Sequence, residues 1–228
     1  MSASVPQLDH HPSPVARAIN PMVTASEVLA VYAAILLYIW RWQDAHPFLW
    51  LPMLAAVLFS QWFSGETLED LGVTGREFWP CARATLPLLA IAIAGAVVYG
   101  FTVHFSAGRL VSWHVWPSLG GYFIWCSFQQ YLTQSYFYLQ LMKLMPSPHL
   151  RSLAIGLLFA GAHIPNPILM AATFAGGVIF AEIFVRYRNI WPLAFVQAVA
   201  GFLIGMLAPP WILHGMRVGP GYFLFHLH

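Results

Sequence analysis

Seven runs of mostly apolar residues alternate with short polar or proline-containing stretches along the chain. A helix that crosses a bilayer needs about 20 such residues. The fourth run is longer than a bilayer requires, which predicts a tilted or projecting helix. We therefore predict an all-α, polytopic membrane helix bundle with about seven transmembrane helices, over residues 25–40, 47–63, 81–103, 116–145, 149–162, 168–185 and 190–207.

The polar stretches divide the chain into a single membrane domain with two tails. Residues 1–24 are polar and rich in proline, which predicts a flexible cytoplasmic tail. Residues 25–208 form one transmembrane domain, and residues 209–228 a carboxyl-terminal tail. The most polar loop, between the second and third runs, predicts a short interfacial helix over Thr67 to Leu71.

Composition excludes a water-soluble fold. The 228 residues are 59% hydrophobic and only 8% charged, whereas a soluble domain carries roughly 25% charged residues. The net charge of +2 gives no reason to expect nucleic acid as a partner. The two cysteines, Cys81 and Cys126, fit no metal-binding spacing.

Basic residues indicate the orientation of the bundle, since Lys and Arg accumulate in cytoplasmic loops. One side of the seven-helix arrangement has three basic residues: Arg41, Arg109 and Arg217. The other side has seven: Arg17, Arg76, Arg83, Lys143, Arg151, Arg186 and Arg188. We expect an integral protein of the bacterial inner membrane whose amino terminus is cytoplasmic.

The fourth run contains three amides, Gln129, Gln130 and Gln134, where a lipid-facing helix would have aliphatic side chains. An unpaired amide in hydrocarbon costs several kcal/mol. On an α-helix Gln130 and Gln134 lie one turn apart on one face. The helix should therefore turn a polar stripe toward other helices or a water-filled cavity. Glutamines that only hydrogen-bond between packed helices are the alternative.

Later runs supply side chains that could meet this stripe. His163 ends the fifth run and Gln197 lies within the seventh. Most ionisable residues lie in the tails, in the loops or near the ends of the runs, and the exceptions are His163 and Glu182. Arg186 is spaced to pair with Glu182 along one helix. An intramembrane ionisable group is a functional candidate, which leaves His163 as the residue of interest.

Three patterns stand in order on the fourth, fifth and seventh runs: Gln129-Gln130-Tyr131-Leu132-Thr133-Gln134, Phe159-Ala160-Gly161-Ala162-His163 and Gln197-Ala198-Val199-Ala200-Gly201. They resemble the three motifs of the CPBP family, the CAAX-protease and bacteriocin-processing intramembrane endopeptidases: Glu-Glu-x-x-x-Arg, Phe-x-x-x-His and His-x-x-x-Asn. The segments 68–72, 173–177 and 188–192 are similar to that family as well, so the resemblance covers residues 68–207.

The resemblance implies a CPBP-like fold and identifies the positions that are catalytic in the family. In the family the first Glu activates a water, and the histidines with Asn bind that water or a metal and stabilise the oxyanion. A general base must accept a proton, which the Gln129 amide cannot do. Only His163 is retained, since Gln130, Gln134, Gln197 and Gly201 replace the other family residues. We expect no metal, because an amide beside one imidazole is a poor ligand set, and no other cofactor.

Three functions follow as hypotheses. The first is a protein without classical peptidase activity that binds a prenyl or other lipid chain, or a transmembrane peptide, in a cavity lined by Gln129, Gln130, Gln134, His163 and Gln197. The second is an active endopeptidase with a rearranged site. The third is a structural or cofactor-holding subunit of a membrane complex. A bis-histidine haem would need His104 or His114 as its second ligand, which weakens the cofactor version.

Overall fold

The computed structural model describes residues 20–102 and 115–224, apart from the side chains of 210 and 211. Most of the predicted cytoplasmic tail, and the histidines at 104 and 114, therefore lie outside the described residues. The helices are α1 (Pro21–Leu37), α2 (Trp50–Ser64), α3 (Phe78–Thr102), α4 (Val115–Gln130), α5 (Leu139–Leu144), α6 (Pro148–Gly161), α7 (Pro167–Tyr187), α8 (Trp191–Leu207), α9 (Pro210–Leu213) and α10 (Pro220–Phe223). A π-helical extension of α1 (Tyr38–Trp42), a π-segment (Tyr131–Tyr138) and a 3₁₀ turn (His214–Met216) complete the list.

The prediction of an all-helical membrane bundle is confirmed. The described residues contain no strand. Three helices, 21–42, 78–102 and 167–187, are long and apolar enough to cross a membrane, and α2 and α8 are shorter apolar helices. Each of the seven predicted runs forms a helical rod, although it stays a prediction that all seven cross the bilayer.

Capping residues and prolines define where the helices begin. Asn20, Ser147 and Asn166 precede α1, α6 and α7, and each accepts a hydrogen bond from a main-chain N–H of the first turn. A proline follows at each site, where its missing N–H costs nothing. Because Asn20 and Pro21 form such a start, α1 begins four residues before the predicted position at residue 25.

The fourth rod runs without a break from Val115 to Leu144, but its middle is not α-helical. Residues Tyr131–Tyr138 form a π-helix immediately after Gln130. A π-helix bonds residue i to i+5 and has a wider turn than an α-helix. The α-helical spacing assumed for Gln130 and Gln134 in the sequence therefore does not apply from residue 131 onward.

The core lies around the π-segment. Tyr136, Phe137 and Tyr138 are buried with Ile155 of α6 and Phe184 of α7. The helices α6 and α7 pack closely, since a Cβ added at Gly177 would lie 3.0 Å from the Cα of Gly156. The helix α8 packs along both α3 and α4. This arrangement places α8 beside the glutamine-containing end of α4.

Two predicted details differ from the structure. Residues 67–71 do not form an interfacial helix: the chain turns at Gly72, whose φ is +67°, and Leu71 is buried rather than at the interface. After α8, the described residues fold back against the bundle: the Asn166 amide donates to the carbonyl of Leu213 at 2.8 Å. The chain after residue 208 is thus part of the packed structure up to residue 224.

Candidate functional site

Three of the predicted amides form a hydrogen-bonded chain between α4 and α8. The Gln130 amide nitrogen donates to the Gln197 side-chain oxygen at 2.6 Å. The Gln197 amide nitrogen donates in turn to the Gln129 oxygen at 2.5 Å. Two hydrogen bonds thus link three uncharged amides, so this partly buried polar chain is neutral and requires no counter-ion.

Gln134 is not part of this chain. Its side chain is fully buried, and neither amide atom has a hydrogen-bond partner among the described residues. The Gln130 oxygen is likewise buried without a partner there. The π-segment, which begins between the two glutamines, is the physical reason that they do not act as one α-helical pair.

His163 follows α6 and is fixed in one tautomer. Its Nδ1 lies 2.7 Å from the carbonyl oxygen of Phe159, one turn earlier. A carbonyl can only accept, so Nδ1 carries the hydrogen and Nε2 is the acceptor. The imidazole also packs edge-to-face against the Phe159 ring, with centroids 5.1 Å apart. Phe159, the phenylalanine of the second motif, thus contacts His163 through both its main-chain carbonyl and its ring.

Gly201 makes space for a side chain from α4. A Cβ placed there would overlap the Tyr122 hydroxyl and lie 3.0 Å and 3.1 Å from two ring carbons. The volume that a side chain at residue 201 would fill is therefore taken by the Tyr122 phenol. A hydroxyl from α4 stands where the resembling motif has an Asn on α8.

A cavity of about 770 Å³ opens beside the amide chain. Gln129, His163, Gln197 and Gly201 line it, together with Tyr122. Gln130 and Gln134 do not, so the predicted five-residue lining holds for Gln129, His163 and Gln197. Asp44 and Arg217 contribute charged side chains to its wall. The rest of the wall is largely apolar and includes Ile39, Trp125, Phe159, Ile168, Leu169, Ala172, Phe180, Ile204, Met216, Val218 and Leu224.

A second cavity of about 150 Å³ adjoins the first. Both cavities are lined by Trp125, Gln129, Phe159 and His163. The smaller one continues among Val31, Leu54 and other apolar side chains of α1 and α2. Gln129 and His163 therefore lie at the junction of two apolar spaces.

The side chains at this site do not suit a metal ion. A transition metal prefers imidazole, thiolate or carboxylate donors, and His163 is the one such group among the predicted site residues. In the part of the chain that the structure describes, no three His, Cys, Asp or Glu side chains are arranged so that they could hold a metal ion. We derive no chemical step through a metal.

The sequence analysis did not identify some of the residues that line the cavities. Tyr122 and Trp125 precede Gln129 by seven and four residues on the same helix, so the helical period could have identified them. The carboxyl-terminal residues 216–218 also line the large cavity. No local signal connected that segment to the site, since its contacts depend on folding back along the bundle.

Glu27 was also missed, because it lies near the start of the first predicted run and ionisable residues near the ends of runs were not treated as candidates. Its carboxylate oxygen Oε1 accepts hydrogen bonds from Ser60 at 2.5 Å, Tyr136 at 2.8 Å and Gln140 at 3.2 Å. Three helical rods thus meet at one carboxylate. Glu182 bonds His149 of α6 at 2.9 Å rather than forming an ion pair with Arg186.

A second carboxylate lies beside this cluster. Glu66 pairs with Lys143 at 2.9 Å, and both side chains are mostly buried. Burial raises the pKa of Glu66 above its usual value, although Lys143 opposes the shift. Gln61 donates to the carbonyl of Ser135 at 2.6 Å and accepts from Tyr131. Charged side chains in this bundle are thus held by hydrogen bonds, as at Glu27, or by an ion pair, as at Glu66 and Lys143.

Comparison with known proteins identifies one family. Residues 111–203 match the family described as "Type II CAAX prenyl endopeptidase Rce1-like". The resemblance drawn from the three motifs is confirmed over this segment, which contains all six predicted site positions. No curated protein and no solved structure matches the chain.

Proposed function

We propose that this membrane protein binds a prenyl or other lipid chain, or a transmembrane peptide, in the cavity beside Gln129 and His163, and that it does not hydrolyse peptides. The observation that carries the proposal is the neutral chain Gln130–Gln197–Gln129, which stands at family catalytic positions. It lies against a large cavity with mostly apolar walls.

The loss of hydrolysis follows from the acid–base properties of the site. Peptide hydrolysis by an activated water needs a base with a usable pKa. Gln129 offers an amide oxygen, and that oxygen already accepts from Gln197. Loss of a catalytic residue costs several powers of ten in rate. Here the base, one histidine and the asparagine are replaced together.

Binding of an apolar chain follows from the shape and lining of the cavity. Its volume of about 770 Å³ lies within the range of small-molecule sites, roughly 300–1,000 Å³. Aromatic and aliphatic side chains supply most of its wall, while the Gln129 amide and His163 Nε2 supply a few hydrogen-bonding groups. Such a site favours a chain with an apolar body and a polar end.

Two neighbouring alanines of α7 provide the test. Ala172 lines the large cavity, whereas Ala171 lines neither cavity. Ala172→Phe should reduce crosslinking of a photoactivatable prenyl probe to the protein in lipid nanodiscs. Ala171→Phe, the same change one residue away, should leave crosslinking at the parent level. Equal crosslinking by both variants would refute binding in this cavity.

An active endopeptidase is the second candidate, and His163 favours it. Its Nε2 is not engaged by Phe159, and the residue lines both cavities. An enzyme of this kind would cleave prenylated or unprenylated peptides and would lose the activity in His163→Ala. Cleavage by the parent that disappears in this variant would replace the binding proposal by the enzyme.

The proposed location is the inner membrane of a bacterium, with the amino terminus in the cytoplasm. The excess of basic residues on one predicted side supports this orientation. Single cysteines introduced at Ser4 and His228 should react with an impermeant reagent from opposite sides of the membrane. Labelling of both from one side would exclude an odd number of spans.

A further inference from the structure

We propose a second site, separate from the cavity and independent of the proposed function, in which Arg151, Arg188 and the Tyr138 hydroxyl bind a phosphate group. The site lies where α6 begins and α7 ends, beside the core at Tyr138. Its ligand would be a phosphate ester in a lipid headgroup or free phosphate, which share this chemistry.

Two guanidiniums flank a pair of core aromatic rings. The Arg151 guanidinium carbon lies 5.3 Å from the centre of the Tyr138 ring. The Arg188 guanidinium carbon lies 5.7 Å from the centre of the Phe184 ring. The two rings pack edge-to-face, with centroids 6.1 Å apart. Both guanidiniums thus lie against one aromatic pair.

The hydrogen-bond partners of both guanidiniums are neutral, and the hydrogen bonds are long. Arg188 donates to the Asp70 carbonyl at 3.3 Å and to the Met142 sulfur at 3.4 Å. Arg151 donates to the carbonyls of Ser147 at 3.3 Å and Pro146 at 3.4 Å. A guanidinium has five N–H donors, so each retains donors for an oxyanion.

The acidic side chains near the site are Asp70, Glu66 and Glu182. The Glu182 carboxylate is bound by His149 at 2.9 Å. The ion pairs recorded among the described residues include neither Arg151 nor Arg188. Burial lowers the pKa of Arg188, and repulsion from Arg151 adds to this effect, although Asp70 opposes it. An added anion would offset both the burial and the repulsion.

Tyr138 provides the second, independent observation. It is fully buried, and its hydroxyl has no hydrogen-bond partner among the described residues. Its electrostatic neighbours include both Arg151 and Arg188. A buried hydroxyl without a hydrogen-bond partner in a native structure requires an explanation, and binding of an anion is one. Phosphate oxygens would accept from this hydroxyl and from the guanidiniums together.

The amino terminus of α6 favours the same ligand. Arg151 lies in the first turn of this 14-residue helix. A helix amino terminus carries partial positive charge, which opposes a cation and attracts an anion. The side of the bundle that we predict to be cytoplasmic also contains Lys143 and Arg186. Anionic headgroups accumulate at that membrane surface.

The test uses the full chain in dodecyl maltoside micelles, which contain no phosphate, and measures thermal stability in three arms. One arm adds phosphatidylglycerol, one adds inorganic phosphate, and one adds sodium chloride at equal ionic strength. We expect stabilisation by the lipid, by phosphate or by both, but not by chloride. Stabilisation by lipid alone identifies the headgroup as ligand, and stabilisation by phosphate identifies the free anion. No stabilisation by either would overturn the proposal.

Three variants test whether the stabilisation depends on the proposed phosphate site. Tyr138→Phe and Arg151→Gln should each weaken the apparent affinity about tenfold, as expected for one hydrogen bond to a charged group. Arg186→Gln removes an exposed charge at the end of the same α7 and should leave affinity unchanged. Tyr138→Phe should match or exceed the parent's stability without ligand, which excludes misfolding as the cause. Parent-like affinity in Tyr138→Phe would show that the hydroxyl does not bind the ligand and that the arginines only pack against aromatic rings. Equal weakening in Arg186→Gln would show only a general attraction of anions to a basic surface. Either result would overturn the proposed site.

Discussion

Replacing Gly201 by Ala tests the contact between α8 and Tyr122. The added methyl group would overlap the Tyr122 hydroxyl and crowd two ring carbons at 3.0 Å and 3.1 Å. Overpacking of this kind typically costs about 1–3 kcal/mol. Ala is favoured over Gly inside a helix by about 1 kcal/mol. We therefore expect Gly201→Ala to lower the free energy of unfolding by up to ~2 kcal/mol.

Gly95 supplies the matched control. It lies inside α3, and a Cβ added there would meet nothing within 4 Å. Gly95→Ala should therefore be neutral or stabilising by up to about 1 kcal/mol. Both variants are measured by denaturant unfolding in mixed micelles, followed by circular dichroism. The difference in the free energy of unfolding between the two variants separates the cost of the steric clash from the effect of helix propensity.

A double-mutant cycle tests whether Tyr122 is the residue that clashes with the methyl group added at residue 201. In a Tyr122→Leu background the phenol is gone, so Gly201→Ala should behave like Gly95→Ala. The expected coupling energy between the two positions is about 1–3 kcal/mol. Independent, additive effects at Gly201 and Tyr122 would refute the assignment. The same contact predicts that the family asparagine cannot be restored by Gly201→Asn unless Tyr122 is also reduced.

Two further predictions concern the buried carboxylates. Glu27→Ala should lower the free energy of unfolding by roughly 2–4 kcal/mol, because buried donors on Tyr136 and Gln140 lose their acceptor. The control Ser26→Ala changes an exposed neighbour and should change the free energy of unfolding little. Equal losses in the two variants would contradict the hydrogen-bond network. Burial raises the pKa of Glu66 above its usual 4.5, so the folded state binds that proton more tightly than the unfolded state. Its contribution to stability is therefore full below pH 4.5 and is lost as the pH rises through the raised pKa. A pH series of unfolding should show this loss in the parent and a flatter profile in Glu66→Gln, whereas identical profiles would contradict it.

The helices were predictable because their signals are local. Apolar runs give their lengths, and proline with a preceding cap gives the starts of α6 and α7. The convergence of Gln129 and Gln197 was predictable from the three motifs. The start of α1 was placed late because Asn20 and Pro21 were assigned to a flexible tail rather than to a cap.

Other features depend on contacts between distant segments and leave no local pattern. The π-segment after Gln130 contains the buried Tyr136 and Tyr138, and Gln134 within it does not line the large cavity. The fit of Tyr122 against Gly201 depends on how α4 lies beside α8. The partners of Glu27 leave no pattern near it in the sequence, because the hydrogen-bond donors come from two other rods.

Neutrality at the candidate site is a local property, not a general loss of polar groups from the bundle. The same helical rod that carries Gln129 and Gln130 buries Lys143 against Glu66 and directs Tyr136 to Glu27. Charges are therefore tolerated where a partner is built in. Three amides that bond one another exclude an orphaned charge while keeping hydrogen-bonding capacity next to an apolar cavity. That combination fits recognition of a ligand with a polar end better than activation of a water, which needs a group that changes protonation state.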